Sequence, residues 1–121
     1  MSFDWNQYII LANKLIENNP QEAEIRSAIS RAYYGAFIPC RNYKGYGKTT
    51  KDIHQKVIDD FKKSDIQEGV SLGNFLDSLR SKRNNADYDG FCKYILNDVK
   101  NHISIANSIL TLLKKIQEKE N

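Results

Sequence analysis

The chain has 121 residues, 40% of them hydrophobic, and its 18 Lys and Arg against 15 Asp and Glu leave a net charge of +3. That length suits one domain spanning 1–121, able to bury a core without disulfides or metals, and has no room for a second. Two cysteines, Cys40 and Cys92, cannot build a secreted-type disulfide framework or complete a four-ligand zinc site, so two ordinary thiols in a reducing compartment are expected.

The opening Met1-Ser2-Phe3-Asp4-Trp5 has no basic region followed by an apolar stretch. No segment approaches the roughly 20 apolar residues of a membrane span. A cytoplasmic protein with no membrane partner is expected.

The apolar pattern is helical nearly throughout. Tyr8, Ile9, Ala12, Leu15 and Ile16 recur at steps of three and four, which predicts a first helix over 4–18 with one apolar face. Asn19 and Pro20 end it. Pro20 suits a first helical turn and Asn19 a cap, so a second helix is expected to open there. Its stripe is Ile25, Ile29, Ala32, Tyr33, Ala36 and Phe37, and Pro39 should kink or shorten it. Tyr33 and Tyr34 are adjacent, so at most one can point fully into the core.

Residues 44–50, KGYGKTT, read as a loop. Gly45 and Gly47 are too close together and follow a helix, so this is not the strand–loop–helix anion nest of a nucleotide-binding P-loop. A third helix carries Ile53, Val57, Ile58 and Phe61, with Thr49 or Thr50 as its cap and Asp52 favouring its positive end. Residues 64–69 read as a polar connection.

Leu72, Phe75, Leu76 and Leu79 announce a fourth helix, capped by Ser71. Its apolar period stops at Leu79, yet no breaker comes before Gly90. In that extension Arg80, Arg83, Asn84 and Asp87 lie three, four and seven apart and share one face. A last helix over 91–119 sets Tyr94, Ile95, Val99, Ile103, Ala106, Leu110 and Leu113 on a long seam, with His102 beside it in a structural place. The fold class expected is all-α, an up-and-down bundle of four to five helices.

The segments SAISRAYYGAF (27–37) and LRSKRNNADYD (79–89), with His54 between them, resemble the HEPN superfamily of prokaryotic helical domains. A Ser-Arg-Ala-Tyr-Tyr-Ala-like helix there precedes an Arg-x-x-Ala-Asp-Tyr-like helix end, and the likeness in order and spacing covers most of the chain. The resemblance implies a bundle that pairs as a homodimer, with two copies of the motif meeting in one composite cleft. It also implies an RNA-directed role in a toxin–antitoxin or defence system, with a small nucleotidyltransferase as a possible antitoxin partner. Many members are metal-independent endoribonucleases whose motif pairs an Arg with a His four to six residues on. An arginine fork holds phosphate oxygens and stabilises a five-coordinate transition state, imidazole moves the proton, and the 2′-hydroxyl is the nucleophile, so neither metal nor cofactor is implied.

The chain departs from that pattern where the histidine belongs: Asn84, Asn85, Ala86, Asp87 and Tyr88 follow Arg83. On the resemblance, Arg83 would bind and stabilise the phosphate, Asp87 would orient Arg83 or take a proton weakly, and Tyr88 would bond the phosphate or shape the cleft. Arg80 and Asn84 would position substrate. Arg31 faces either solvent or the same cleft, and His54 either approaches the cleft or simply packs. The alternative for Arg80 and Arg83 is an intramolecular salt bridge to Asp87 or Asp89. Two other functions fit the sequence: a noncatalytic dimerising module that binds a partner protein, and a domain that binds a nucleotide between its helices. Exposed apolar residues near the fourth helix end would mark the dimer seam.

Overall fold

A computed structural model describes residues 2–47, 51–91 and 93–120 of the chain. The helices are α1 (Asn6–Leu15), α2 (Glu22–Lys44), α3 (Ile53–Lys62), α4 (Gln67–Tyr88) and α5 (Leu96–Glu120), with no strand among the described residues. Thr49, Thr50 and Cys92 lie outside the described residues.

Helix α2 is the axis of the bundle and packs on all four others. The connection 16–21 folds α1 back along it, with Asn18 and Asn19 both in the left-handed region that Asn tolerates better than most residues. Helix α5 runs parallel to α2, since His102 bonds the Ile29 carbonyl near one end and Tyr43 bonds Glu120 near the other. Helix α4 runs against α5, because Glu68 meets Lys119 and Tyr94 reaches the Lys82 carbonyl. Helices α1, α2, α4 and α5 therefore alternate in direction as an up-and-down bundle. The short α3 sits on the α2–α4 crossover and runs parallel to α2, with His54 against Tyr33 and Phe61 against Tyr43.

The expected stripes of α1 and α2 are the ones that are buried, including Ile9, Ala12, Ile29, Ala32, Tyr33 and Phe37. Tyr33 goes to the core and Tyr34 stays half-buried, as their adjacency requires. Pro39 neither ends nor shortens α2, which continues to Lys44. One N–H bond is forgone there, while Ile38 and Cys40 on either side are buried and hold the segment in place.

Three starts differ from expectation. Helix α2 opens at Glu22 rather than Pro20, because the Gln21 N–H bonds Glu24 Oε1 at 2.8 Å in a capping box. Helix α4 opens at Gln67, a turn before Ser71 and inside the expected polar connection: Gly69 and Gly73 are where α3 and α4 touch. A Cβ on Gly73 would stand 2.7 Å from the Lys62 nitrogen and 3.1 Å from the Ile58 oxygen. Helix α5 opens at Leu96, not Phe91. Asp89 accepts the Phe91 N–H and Asp98 the Ile95 N–H, which ends one helix and starts the next. Ile95 is exposed as a result, and the α5 seam turns through His102 and Ile109 rather than Leu110.

Candidate anion-binding site at the end of helix α4

The last turns of α4 face the middle of α2 and the start of α3. Arg83 lies at the centre. Its Nε donates to Asp87 Oδ2 and its Nη1 to Asn84 Oδ1, both at 2.9 Å. The guanidinium lies 5.0 Å from the ring centre of Tyr34, 5.6 Å from that of Tyr88 and 6.0 Å from that of Tyr33, so three electron-rich faces surround it. The side chain is 13% exposed. Asp87 Oδ2 also accepts the Ser30 hydroxyl at 3.2 Å, which ties the pair to α2. Of the two acidic partners considered for the arginines, Asp87 is the one engaged; Asp89 serves the backbone of the next link instead.

Arg80 is placed differently. Its Nη1 donates to Gln55 Oε1 at 2.9 Å, a neutral partner. Its Nε is buried with no acceptor, and no carboxylate pairs with it among the described residues. A buried donor without an acceptor on a charged group is costly, and such a group is usually satisfied by water or a ligand. Arg80 thus holds unbalanced positive charge, whereas Arg83 has been neutralised locally.

His54 is drawn in from α3, as one of its two expectations had it. Its ring stacks on Phe37 with centres 4.3 Å apart and pairs through Nδ1 with the Tyr33 hydroxyl at 2.7 Å. Burial, then the nearby charges of Arg80, Arg83 and Arg41, push its pKa down to about 4, so the imidazole is neutral at pH 7. Burial likewise raises the pKa of the Tyr33 hydroxyl, against the opposing pull of Arg80. The two groups form a neutral floor beneath two guanidinium groups.

Arg31 lies at the edge of the cluster, in a groove it lines with Arg26, Ser30, Ala86 and Asp87. It is exposed and covers the Tyr8 ring at 4.9 Å, on the α1 side of α2. Tyr88 extends outward, 77% exposed, with its ring still beside Arg83. Ala86, one of the residues that follow Arg83 where a histidine was sought, is 3% exposed.

Three contributors were not singled out in the sequence: Ser30, Gln55 and Arg26. Arg26 donates from Nη1 to the Ala86 carbonyl at 2.8 Å and the Asn85 carbonyl at 3.3 Å, and from Nε to Glu22 Oε1 at 3.2 Å. It satisfies carbonyls that the end of α4 leaves open and clamps that end to α2. Ser30 does lie four residues from Arg26, a same-face spacing, but nothing in the sequence indicates that this face meets α4. No group of three or more His, Cys, Asp or Glu that could hold a metal ion occurs among the described residues. No described helix is long and apolar enough to cross a membrane.

Compared with protein-family models, with curated proteins and with solved structures, the chain matches none.

Proposed function

We propose that this chain is a HEPN-type RNA-binding protein that holds backbone phosphate at Arg80 and, after exchange of its internal partner, at Arg83, and that it binds RNA without cutting it. The observation that carries this reading is Arg80, a guanidinium whose side chain has, among the described residues, a neutral amide as its hydrogen-bonding partner and no carboxylate. A phosphate beside that guanidinium supplies the missing negative charge. A homodimer, and a place in a toxin–antitoxin or defence system, belong to the same reading through the sequence resemblance.

Binding without cleavage follows from where the proton-transferring groups are. Attack by a 2′-hydroxyl needs one group to take its proton and another to protonate the leaving oxygen. Ala86 offers neither. His54 is engaged at Nδ1 and stacked on Phe37, and Asp87 is held by Arg83 and Ser30. The test is fluorescence anisotropy of a labelled RNA oligonucleotide over a salt series, with the same RNA run on a gel. Arg80→Ala should weaken binding about tenfold and reduce the salt slope by about 0.7, the loss of one phosphate contact on a single strand. Unchanged binding in Arg80→Ala, or cleavage by the wild-type protein, overturns the reading.

A second reading has its own observation. Tyr88, Phe91 (99% exposed) and Ile95 place apolar surface on the α4–α5 connection, as a contact with a partner protein such as a small nucleotidyltransferase would require. Co-purification with such a partner that persists in Arg80→Ala and is lost in Phe91→Ser would favour it.

A further inference from the structure

Helix α1 is apolar on two sides. Ile9, Ala12 and Ile16 face the bundle and are buried. Turned away from them, Phe3, Ile10 and Leu11 are 47%, 46% and 39% exposed and form, with Gln7, Tyr8 and Lys14, a shallow groove along the outside of the helix. Positions 7, 10 and 14 follow the three–four spacing of one helix face, Leu11 widens it, and Phe3 extends it from the segment before the helix. A surface helix with a single packed side has no need of the run Ile9-Ile10-Leu11-Ala12; a helix packed between two neighbours does.

The platform is rigid. Trp5 and Ile9 sit directly on Gly35 of α2, where an added Cβ would stand 2.8 Å from Ile9 Cγ1 and 3.1 Å from the Trp5 oxygen. Phe3, Trp5 and Tyr8 lock edge to face, with centres 4.9 to 5.7 Å apart. The groove is thus held open by the fold of one chain.

Its charges select the occupant. Asp4 lies at one end of the stripe and Lys14 at the other, about 15 Å apart along the axis. Neither has an ion-pair partner among the described residues. A second α1 laid antiparallel across a two-fold axis near Ile9 and Ile10 sets each Lys14 beside the Asp4 of the other copy. A parallel arrangement would oppose like charges at both ends. We infer that the outer face of α1 is an antiparallel, two-fold interface between two copies of this chain, with Ile10 and Leu11 at its centre and Asp4–Lys14 pairs at its rims.

This shares with the RNA reading only the pairing of copies, and it puts the seam on α1 rather than at the end of α4. Sedimentation equilibrium of the full chain should give twice the 14.0 kDa chain mass. Leu11→Glu should return it to one chain mass with an unchanged helical circular-dichroism spectrum. Should Leu11→Glu fail to fold, the surface swap decides. Lys14→Asp should weaken the dimer at low salt, and adding Asp4→Lys to it should restore the wild-type dissociation constant. A monomeric wild-type protein at high micromolar concentration overturns the inference, as does a dimer indifferent to both the Leu11 and the Lys14 changes. So does a dimer lost in Phe91→Ser and kept in Leu11→Glu, which would put the seam on the α4–α5 connection. RNA anisotropy on the same samples separates the two proposals: a monomer that binds RNA defeats this one and the shared pairing of copies but leaves the phosphate contact of the other standing, and a dimer that ignores RNA defeats only the other.

Discussion

Asp87 occupies the place on Arg83 that a phosphate would take. Its Oδ2 accepts from Arg83 Nε at 2.9 Å, and the two side chains are only 26% and 13% exposed, so the pair is partly withdrawn from water. An RNA phosphate must displace the carboxylate or approach beside it. Asp87→Asn keeps the side-chain shape and removes the charge. A phosphate on Arg83 would sit within about 6 Å of the carboxylate, where like charges repel by about 0.7 kcal/mol even at the dielectric of bulk water. Loss of the competing ion pair adds about 0.5 kcal/mol, as is usual for i,i+4 pairs. Together these give roughly tenfold tighter RNA binding. The salt slope should steepen by about 0.7, because a second guanidinium now contacts phosphate. Stability should move the other way, with thermal unfolding slightly earlier, since Arg83 and Ser30 both lose an anionic acceptor. Anisotropy over a salt series measures affinity and slope together. Equal or weaker binding by Asp87→Asn at an unchanged slope would refute the view that this carboxylate stands in for a ligand.

Two further outcomes concern the scaffold. Gly73→Ala should cost about 1 to 3 kcal/mol in urea unfolding, because its Cβ would meet the Lys62 backbone nitrogen at 2.7 Å and neither helix can yield without separating α3 from α4; a neutral result would mean that this contact is looser than it is drawn. His102 is fully buried, bonds the Ile29 carbonyl at 2.9 Å, and has its pKa pushed down to about 4, chiefly by burial. His54 is lowered similarly, so the unfolded chain takes up protons first as pH falls below about 6.5, and stability should drop from there towards pH 4 and be level above that window. His102 should account for the larger share, on the order of 3 kcal/mol. His102→Gln should flatten the profile, and an equal slope in that variant would show that the acid sensitivity lies elsewhere.

The helical class and the core stripes of α1 and α2 were legible because burial repeats at helical spacing and the chain writes that repeat directly. The first turn of α4 was not legible because Gly69 closes the polar run 64–69, while Gly69 and Gly73, four apart on one helix face, allow a close approach that only the packing reveals. The gathering of Arg80, Arg83, Asn84 and Asp87 on one face was legible for the same periodic reason. What each arginine does there was not, because it is decided across helices. Gln55 comes to Arg80 from α3, Ser30 comes to Asp87 from α2, and Arg31 shares a groove with Ser30 and Asp87 while covering Tyr8 of α1. Sequence spacing gives a residue its face, and only packing gives the face its neighbours.

Ala86 shows how far that packing constrains the chemistry. Adding a histidine beside the arginines by Ala86→His would seem a direct route to a nuclease. Position 86 is nonetheless 3% exposed, and its carbonyl is gripped by Arg26 from α2 at 2.8 Å. An imidazole there has to share a shallow groove with Ala23 and Arg26 of α2. It must displace α2 or turn away from it, at an overpacking cost of about 1 to 3 kcal/mol. Ala86→His should therefore unfold at lower temperature and denaturant than the wild type and still leave RNA intact on a gel. Relief of the same cost by a smaller residue on the facing part of α2, Ala23→Gly, would trace the loss to that contact. A stable Ala86→His protein that cuts RNA in an Arg83-dependent manner would mean instead that this end of α4 opens easily, and that one substitution is all that separates binding from cleavage.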